Sequence, residues 1–245
     1  VGFFRPHTPF VAPKEYFDFY DRKKIEIPQV SNEYLATLPE PAVKSIRAKK
    51  NQLNLEKELA QEIKEAYYST ISFVDAQVGR ILDHLKSLGL DKNTVVVFTS
   101  DHGYHLGEHG HWQKQTLFEN STRIPLIISS PSIKNKDVKT ISPVELIDVY
   151  PTLMDLTNIN IPLHVVGKSL VPLMKDTNAS VRESALTRWR NGYTIKTKRF
   201  RLTKWGVNGE LGYELYDHKN DKNELINLAS NQEYRDVMDT LKALI

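Results

Sequence analysis

The sequence contains no cysteine among its 245 residues. Disulfide bonds, thiolate metal sites and a cysteine nucleophile are therefore excluded within this chain, and the redox compartment stays open. No run of about 18 apolar residues occurs either, so the sequence predicts no membrane-spanning helix.

The sequence also carries little excess charge, with a formal net charge of +3 at pH 7. No stripe of lysine and arginine interleaves with aromatic residues, so we expect no nucleic acid as a partner. Apolar residues make up 40% and charged residues 26%, which are the proportions of an ordinary globular protein. The length suits one large domain, or one and a half small ones.

The first residues lack an initiator methionine and a signal peptide. Val1-Gly2-Phe3-Phe4 is typical of the end of a strand, so we expect that an upstream segment lies outside this sequence. Any targeting signal would belong to that segment.

The first two thirds of the chain predict an α/β arrangement. Residues 5–40 indicate a long surface loop, and residues 52–89 carry helical periodicity that ends at Gly89. Apolar runs at 94–99 and 125–129 predict short buried strands, and residues 145–156 predict a helix broken by Pro151. A helix followed by a strand at this spacing is one αβ repeat.

The pattern changes after residue 176. Four segments alternate with period two, which predicts an antiparallel sheet with one face in solvent, and residues 231–245 predict a closing helix. We therefore predict two units, an α/β core over residues 1–176 and an antiparallel subdomain over residues 177–245. The four alternating segments are 185–189, 192–196, 200–204 and 213–217.

The most informative stretch follows the run Thr94-Val95-Val96-Val97-Phe98-Thr99. Such a run is typical of a strand buried on both faces of a parallel sheet. At its end lie Asp101 and His102, and open α/β sheets bind ligands at that edge. Four of the eight histidines fall between His102 and His111.

This loop has two readings. Asp-His-Gly after a strand is a common turn, because Asp accepts hydrogen bonds from the backbone and Gly tolerates positive φ. A carboxylate beside an imidazole on a rigid strand can instead hold a metal ion or transfer protons. Leu106 and Trp112 predict that the loop folds down onto the core.

Several motifs resemble, in the right order, the C-terminal half of type I sulfatases, and are most similar to the iduronate 2-sulfatase branch. The motifs are Arg5-Pro6-His7-Thr8-Pro9-Phe10, Ser100-Asp101-His102-Gly103, Gly107-Glu108-His109-Gly110 with Trp112 and Lys114, Asp148-Val149-Tyr150-Pro151-Thr152-Leu153, Gly167-Lys168-Ser169-Leu170, and Glu214-Leu215-Tyr216-Asp217.

The resemblance implies an alkaline-phosphatase-like α/β core, with a mostly parallel sheet and flanking helices, and a small antiparallel C-terminal subdomain with a helix. It implies hydrolysis of sulfate esters in sulfated carbohydrates such as glycosaminoglycans, with Ca²⁺ and a formylglycine as cofactors. It also implies a periplasmic, secreted or lysosomal enzyme.

The resemblance assigns roles to four residues, and a fifth, His105, is favoured as a pocket residue among the histidines of the loop. Asp101 and His102 match a pair of metal ligands, and His102 would touch the metal weakly or contact the nucleophile. Lys114 matches a sulfate-binding lysine, and His7 matches a histidine near the bridging oxygen that would protonate the leaving alcohol. His105 is expected in the substrate pocket. Each position also has a plain reading, as a solvated lysine, a loop histidine or a scaffold residue.

The formylglycine motif C/S-x-P-S-R is absent. Ser129-Ser130-Pro131-Ser132-Ile133 imitates it, but Ile133 stands where the motif needs arginine. We therefore expect the N-terminal half of the same enzyme to be a partner and to carry the formylglycine. Two other readings stay open: a phosphomonoesterase or phosphonate hydrolase of the same superfamily, and a non-catalytic fragment that binds sulfated glycans.

Overall fold

The computed structural model describes residues 1–245. Its α-helices are α1 Lys14–Phe17, α2 Asn32–Ala36, α3 Glu40–Ile46, α4 Lys57–Ser87, α5 Glu119–Thr122, α6 Val149–Leu156, α7 Val171–Lys175 and α8 Arg235–Lys242. Its β-strands are β1 Val96–Thr99, β2 His105–Leu106, β3 Trp112–Gln113, β4 Leu126–Ser129, β5 Ala185–Trp189, β6 Gly192–Lys196, β7 Phe200–Trp205 and β8 Tyr213–Asp217.

The long helix α4 supports the rest of the α/β part. It ends where predicted, because Gly89 takes a left-handed φ of 68° that closes the last turn. Its buried polar side chains hold the preceding segment, since Gln61 and Lys64 donate to the carbonyls of Ile25 and Glu26, each at 2.9 Å. No helix has the length and apolar character needed to cross a membrane.

Strands β1 and β4 form where the apolar runs predict them, but their arrangement differs from the prediction. They pair antiparallel, with Val96 opposite Ser129 and Thr99 opposite Leu126. The expected parallel pairing is therefore wrong for these two strands, in which Phe98 and Ile127 are 37% and 61% exposed. An apolar run indicates that both faces of a strand are apolar, but it carries no information on strand direction.

Pro151 does not break a helix. It occupies the third position of α6, where its missing N–H removes no hydrogen bond, and residues 146–148 form a separate 3₁₀ turn. The sequence predicts one helix over residues 145–156 that Pro151 breaks. In the structure α6 begins at Val149, and Pro151 lies in its first turn without interrupting it.

The four alternating segments form one antiparallel sheet in the order β5-β6-β7-β8, as predicted. One face packs on α8 through Ile195, Leu202 and Leu215, which meet Met238 and Leu241. The predicted solvent-exposed face is wrong for β6 to β8. Polar side chains of that face are buried against the α/β part of the chain, namely Thr194, Arg201, Thr203 and Glu214.

Candidate active site

Asp101 and His102 lie immediately beyond the end of β1, as the sequence predicts. The Oδ1 atom of Asp101 accepts from the His102 backbone N–H at 3.1 Å, and its Oδ2 atom lies 3.5 Å from His102 Nε2. The Asp101 side chain is 84% exposed and that of His102 is 33% exposed. The carboxylate therefore serves the turn with one oxygen and leaves the other facing the imidazole.

The hydrogen bond of His102 fixes which ring nitrogen carries the proton. Its Nδ1 lies 2.8 Å from the carbonyl oxygen of Gly103, which can only accept, so Nδ1 is the donor. In the neutral ring Nε2 is then a bare lone pair that faces Asp101 Oδ2. The two atoms lie 3.5 Å apart, so a cation beside them could contact both.

This donor pair fits part of a calcium site. A carboxylate oxygen is the ligand that Ca²⁺ prefers, whereas an imidazole suits this ion less well, although here a carbonyl holds it as in a metal-bound histidine. Because Ca²⁺ takes about six to eight ligands, Asp101 and His102 would supply a minority of them.

Gly103 anchors this pair to α5. Its N–H donates to the Ser121 carbonyl at 2.8 Å, and a Cβ at position 103 would lie 2.1 Å from the Asn120 carbonyl oxygen. Only a residue without a side chain permits this approach, since the obstacle is backbone.

We expect Gly103→Ala to destabilise the protein by about 1–3 kcal/mol, since overpacking forces backbone to move. The same change should displace Asp101 and lower activity of the intact enzyme. Gly79→Ala is the matched control, because nothing lies within 4 Å of a Cβ at that helical position. Urea unfolding of both variants checks this, and equal stability of Gly103→Ala and wild type would contradict the anchoring role.

The segment that carries His7 packs beside the same loop. Phe10 contacts Tyr67 and Tyr104 edge-on, with ring centroids 5.4 and 6.1 Å apart, and Tyr104 follows Gly103 directly. His7 itself is exposed, and its Nδ1 lies 2.8 Å from the Thr8 carbonyl oxygen, which makes Nδ1 the donor. The structure thus brings the His7 segment to the loop of Asp101 through Phe10.

Lys114 is half-buried just after β3. It takes part in none of the ion pairs of the chain. The residue before it, Gln113, has a φ of 95°, a conformation that costs a side-chain-bearing residue about 1–3 kcal/mol. Such strain is concentrated at functional sites, and here it sets the direction in which the chain leaves β3.

His105 corrects the sequence prediction. It is fully buried, its Nδ1 lies 3.2 Å from the Glu108 carbonyl oxygen, and its Nε2 lies 2.8 Å from Thr116 Oγ1. With both ring nitrogens engaged and no exposed surface, it cannot contact a substrate in this arrangement. The expected pocket residue is a scaffold residue, because β2 turns its side chain inward.

His105, His109 and His111 together form a buried histidine cluster. Their rings are 5.1 to 5.6 Å from that of His105, and Phe118 stacks on His109 at 3.9 Å. Burial lowers the pKa of His105 and His111 and lowers that of His109 to about 4. Leu106 and Trp112 are buried beside them, so the loop is folded onto the core as predicted.

These shifts predict loss of stability on acidification. A histidine whose pKa is lower folded than unfolded stabilises above about pH 6.5, and that contribution disappears as pH falls toward 4. Wild type should therefore lose stability relative to His109→Gln across this window, by up to about 1.4 kcal/mol per pH unit. His84→Gln, on the exposed surface of α4, is the control. Parallel stability curves for wild type and His109→Gln would contradict the assignment.

Sequence reasoning missed an ion-pair network beneath α5. Arg201 donates from Nε to Glu224 at 2.6 Å and from Nη2 to Glu119, and His218 Nε2 lies 2.7 Å from Glu224. Burial raises the pKa of Glu224, but the charge of Arg201 and the hydrogen bonds outweigh it and lower that pKa to about 2. The period-two alternation of β7 is the one signal that the sequence offers, and it predicts solvent exposure.

Glu119, His218 and Glu224 place one ligand atom each within 4.8 Å of one another, the spacing of a metal site. The guanidinium of Arg201 already bonds both carboxylates, however, and supplies the positive charge they need. The arrangement is therefore a buried ion-pair network.

Comparisons with known proteins agree with the fold. The family model described as Sulfatase matches residues 1–159, and that described as N-sulphoglucosamine sulphohydrolase, C-terminal, matches residues 107–245. A sulfatase of Formosa agariphila is 34% identical over all of this chain and 48% of its own length. Human iduronate 2-sulfatase is 29% identical over 66% of this chain and 36% of its own length.

Solved structures share the fold of this chain. A phosphonate monoester hydrolase of Silicibacter pomeroyi has a TM-score of 0.85 at 26% identity, over 98% of this chain and 53% of that one. A protein solved with its substrate D-glucosamine-2-N,6-O-disulfate has a TM-score of 0.66 at 28% identity, over 84% of this chain and 44% of that one.

The fold is thus that of the alkaline-phosphatase-like hydrolases, with a small antiparallel subdomain, as the resemblance implied. Within that class the chain belongs to the sulfatase family, and the iduronate 2-sulfatases are among its relatives. The chain spans about half the length of the curated relatives that match all of it.

Proposed function

We propose that this chain forms the C-terminal part of a calcium-dependent sulfuric ester hydrolase that releases sulfate from a sulfated carbohydrate. The observation that carries the proposal is the Oδ2 atom of Asp101 facing the bare Nε2 of His102 at the end of β1. The carbohydrate class is supported by a structural neighbour solved with a glucosamine disulfate.

When bound, calcium would neutralise charge on the sulfate group, and a formylglycine would supply the nucleophile. Asp101 would contribute a charged oxygen ligand. The Gly103 carbonyl accepts from His102 Nδ1 and so keeps Nε2 of that ring directed toward Asp101. Lys114 acts as a compact positive charge on a non-bridging sulfate oxygen, where negative charge develops in the transition state.

His7 would protonate the leaving alcohol. Since its Nδ1 is held by the Thr8 carbonyl, Nε2 is the atom that gains and gives the proton. Its exposure keeps it accessible to a substrate that enters from solvent.

We further propose that an N-terminal segment of the same enzyme packs on this chain and brings the formylglycine. Large apolar side chains that a solitary domain would bury are exposed on β4 and along residues 141–166, among them Ile127, Ile141, Tyr150, Leu163 and Val166.

The division into a core over residues 1–176 and a subdomain over residues 177–245 stays part of this proposal, as does a periplasmic, secreted or lysosomal compartment. The boundary falls between the end of α7 at Lys175 and the start of β5 at Ala185.

A phosphonate hydrolase is the second candidate, because the Silicibacter pomeroyi enzyme has a TM-score of 0.85 with this chain. The intact enzyme should be assayed with sulfate, phosphate and phosphonate esters of one aryl alcohol and with a sulfated glucosamine. We expect sulfate release that EDTA abolishes and Ca²⁺ restores. Faster cleavage of the phosphonate, or binding of sulfated glycans without turnover, would favour the alternatives.

A further inference from the structure

The buried polar face of the C-terminal sheet contacts the helix that holds the Asp101 loop. Arg201, on β7, is 2% exposed and donates to Glu119 at the first position of α5. Glu224 accepts from the Glu119 backbone N–H at 2.8 Å with its other oxygen. The start of α5 is therefore held at both its side chain and its backbone by the subdomain.

The opposite side of α5 holds the loop. The Ser121 carbonyl accepts from Gly103, and the Asn120 carbonyl lies against the Gly103 Cα, so the loop follows any movement of α5. Thr116 lies two residues after Lys114 and three before the start of α5, and its hydroxyl bonds both His105 and Ser121. The segment from Lys114 to the end of α5 thus connects the subdomain to Lys114 and to the loop of Asp101 and His102.

The charges make this connection stiff. One buried guanidinium is shared by two carboxylates, and if α5 moved away Glu119 would lose that guanidinium and Glu224 would lose its hydrogen bond from the Glu119 N–H. A buried charge without its partner is costly, so small displacements of α5 are opposed strongly.

We propose that Glu119 is a positioning residue, which transmits the Arg201–Glu224 anchor of the subdomain through α5 to Gly103 and so fixes Asp101 and His102. The inference rests on the proposed function for the reaction served, but its structural part is independent of the substrate. A C-terminal subdomain that only covered the core would need no charged contact with this helix.

The chain offers a matched control. Arg182 also bonds two carboxylates, those of Glu145 and Asp148, and it is 12% exposed. That network joins α6 to the start of β5 and has no hydrogen bond to residues 101–103. Glu145→Ala therefore removes one carboxylate from a buried arginine, as Glu119→Ala does, without touching the loop.

The test compares Glu119→Ala, Glu119→Gln and Glu145→Ala in the intact enzyme, at a temperature where all three are folded. The first measurement is amide hydrogen exchange at Gly103 without substrate or added metal. We expect Glu119→Ala to speed this exchange about tenfold or more, and Glu145→Ala to leave it unchanged. Glu119→Gln keeps an oxygen toward Arg201 and should restore slow exchange.

The second measurement is the calcium concentration for half-maximal activity, together with kcat and KM. Glu119→Ala should raise that concentration and lower kcat/KM about tenfold, as loss of a group that orients a metal ligand usually does. Slow Gly103 exchange in Glu119→Ala, or equal effects of Glu119→Ala and Glu145→Ala, would overturn the inference. Failure of the proposed function would appear separately, as an intact wild-type enzyme without sulfate release.

Discussion

Asp101→Ala should reduce turnover of the intact enzyme to the background rate. The substitution removes the one carboxylate at the end of β1 and leaves His102 Nε2 without a charged neighbour. We expect calcium affinity to fall by more than about tenfold, because even partners of a metal ligand are worth 10–100-fold. Calcium titration followed by activity, and isothermal titration calorimetry of the same samples, measure both quantities.

Asp91→Ala is the control for this variant, since Asp91 is an exposed aspartate in the turn before β1. It should leave calcium affinity and turnover at wild-type values. If Asp101→Ala keeps its calcium affinity, Asp101 does no more than cap the turn through the His102 N–H.

Lys114→Ala should lower kcat/KM by about a hundredfold or more, which is the usual scale for losing one preorganised electrostatic stabiliser. Lys114 is half-buried and outside every ion pair of the chain, so its charge is available to an anion. The strained φ of Gln113 fixes the backbone that carries it. The loss should fall mainly on kcat, because the charge on sulfate increases in the transition state.

Lys114→Arg should restore little activity, since a planar guanidinium does not replace a compact ammonium. Lys92→Ala, on the exposed turn before β1, serves as the control and should be neutral. Steady-state kinetics with a sulfated glucosamine decide the question. Near-wild-type kinetics of Lys114→Ala would make Lys114 a surface lysine and limit the site to the Asp101 loop.

Local patterns in the sequence predict the elements of the fold well. Period-two alternation places β5 to β8 within one residue of their observed bounds, because cross-strand pairing fixes side-chain direction. Helical periodicity locates α4 and Gly89 locates its end, because both signals are local in the chain. Strand direction was missed, since β1 and β4 carry the same apolar residues in either arrangement.

In the candidate site, too, some residues can be predicted from the sequence and others cannot. Asp101 and His102 are recognisable because strand, acid and imidazole are adjacent in the chain. The sequence predicts a pocket role for His105 because no local pattern shows that both residues of the short strand β2 are buried. The sequence does not reveal Arg201 and Glu224, because they lie 82 and 105 residues from Glu119 on α5 and no local pattern marks a buried ion pair.

The most direct test is a crystal structure of the intact enzyme with calcium, with the ion identified by anomalous scattering. We expect calcium within about 2.3–2.6 Å of an Asp101 carboxylate oxygen, with His102 Nε2 facing the ion or the nucleophile and Lys114 on a bound sulfate. A calcium ion held elsewhere, with Asp101 bonded only to the His102 N–H, would contradict the assignment of this loop as the catalytic metal site.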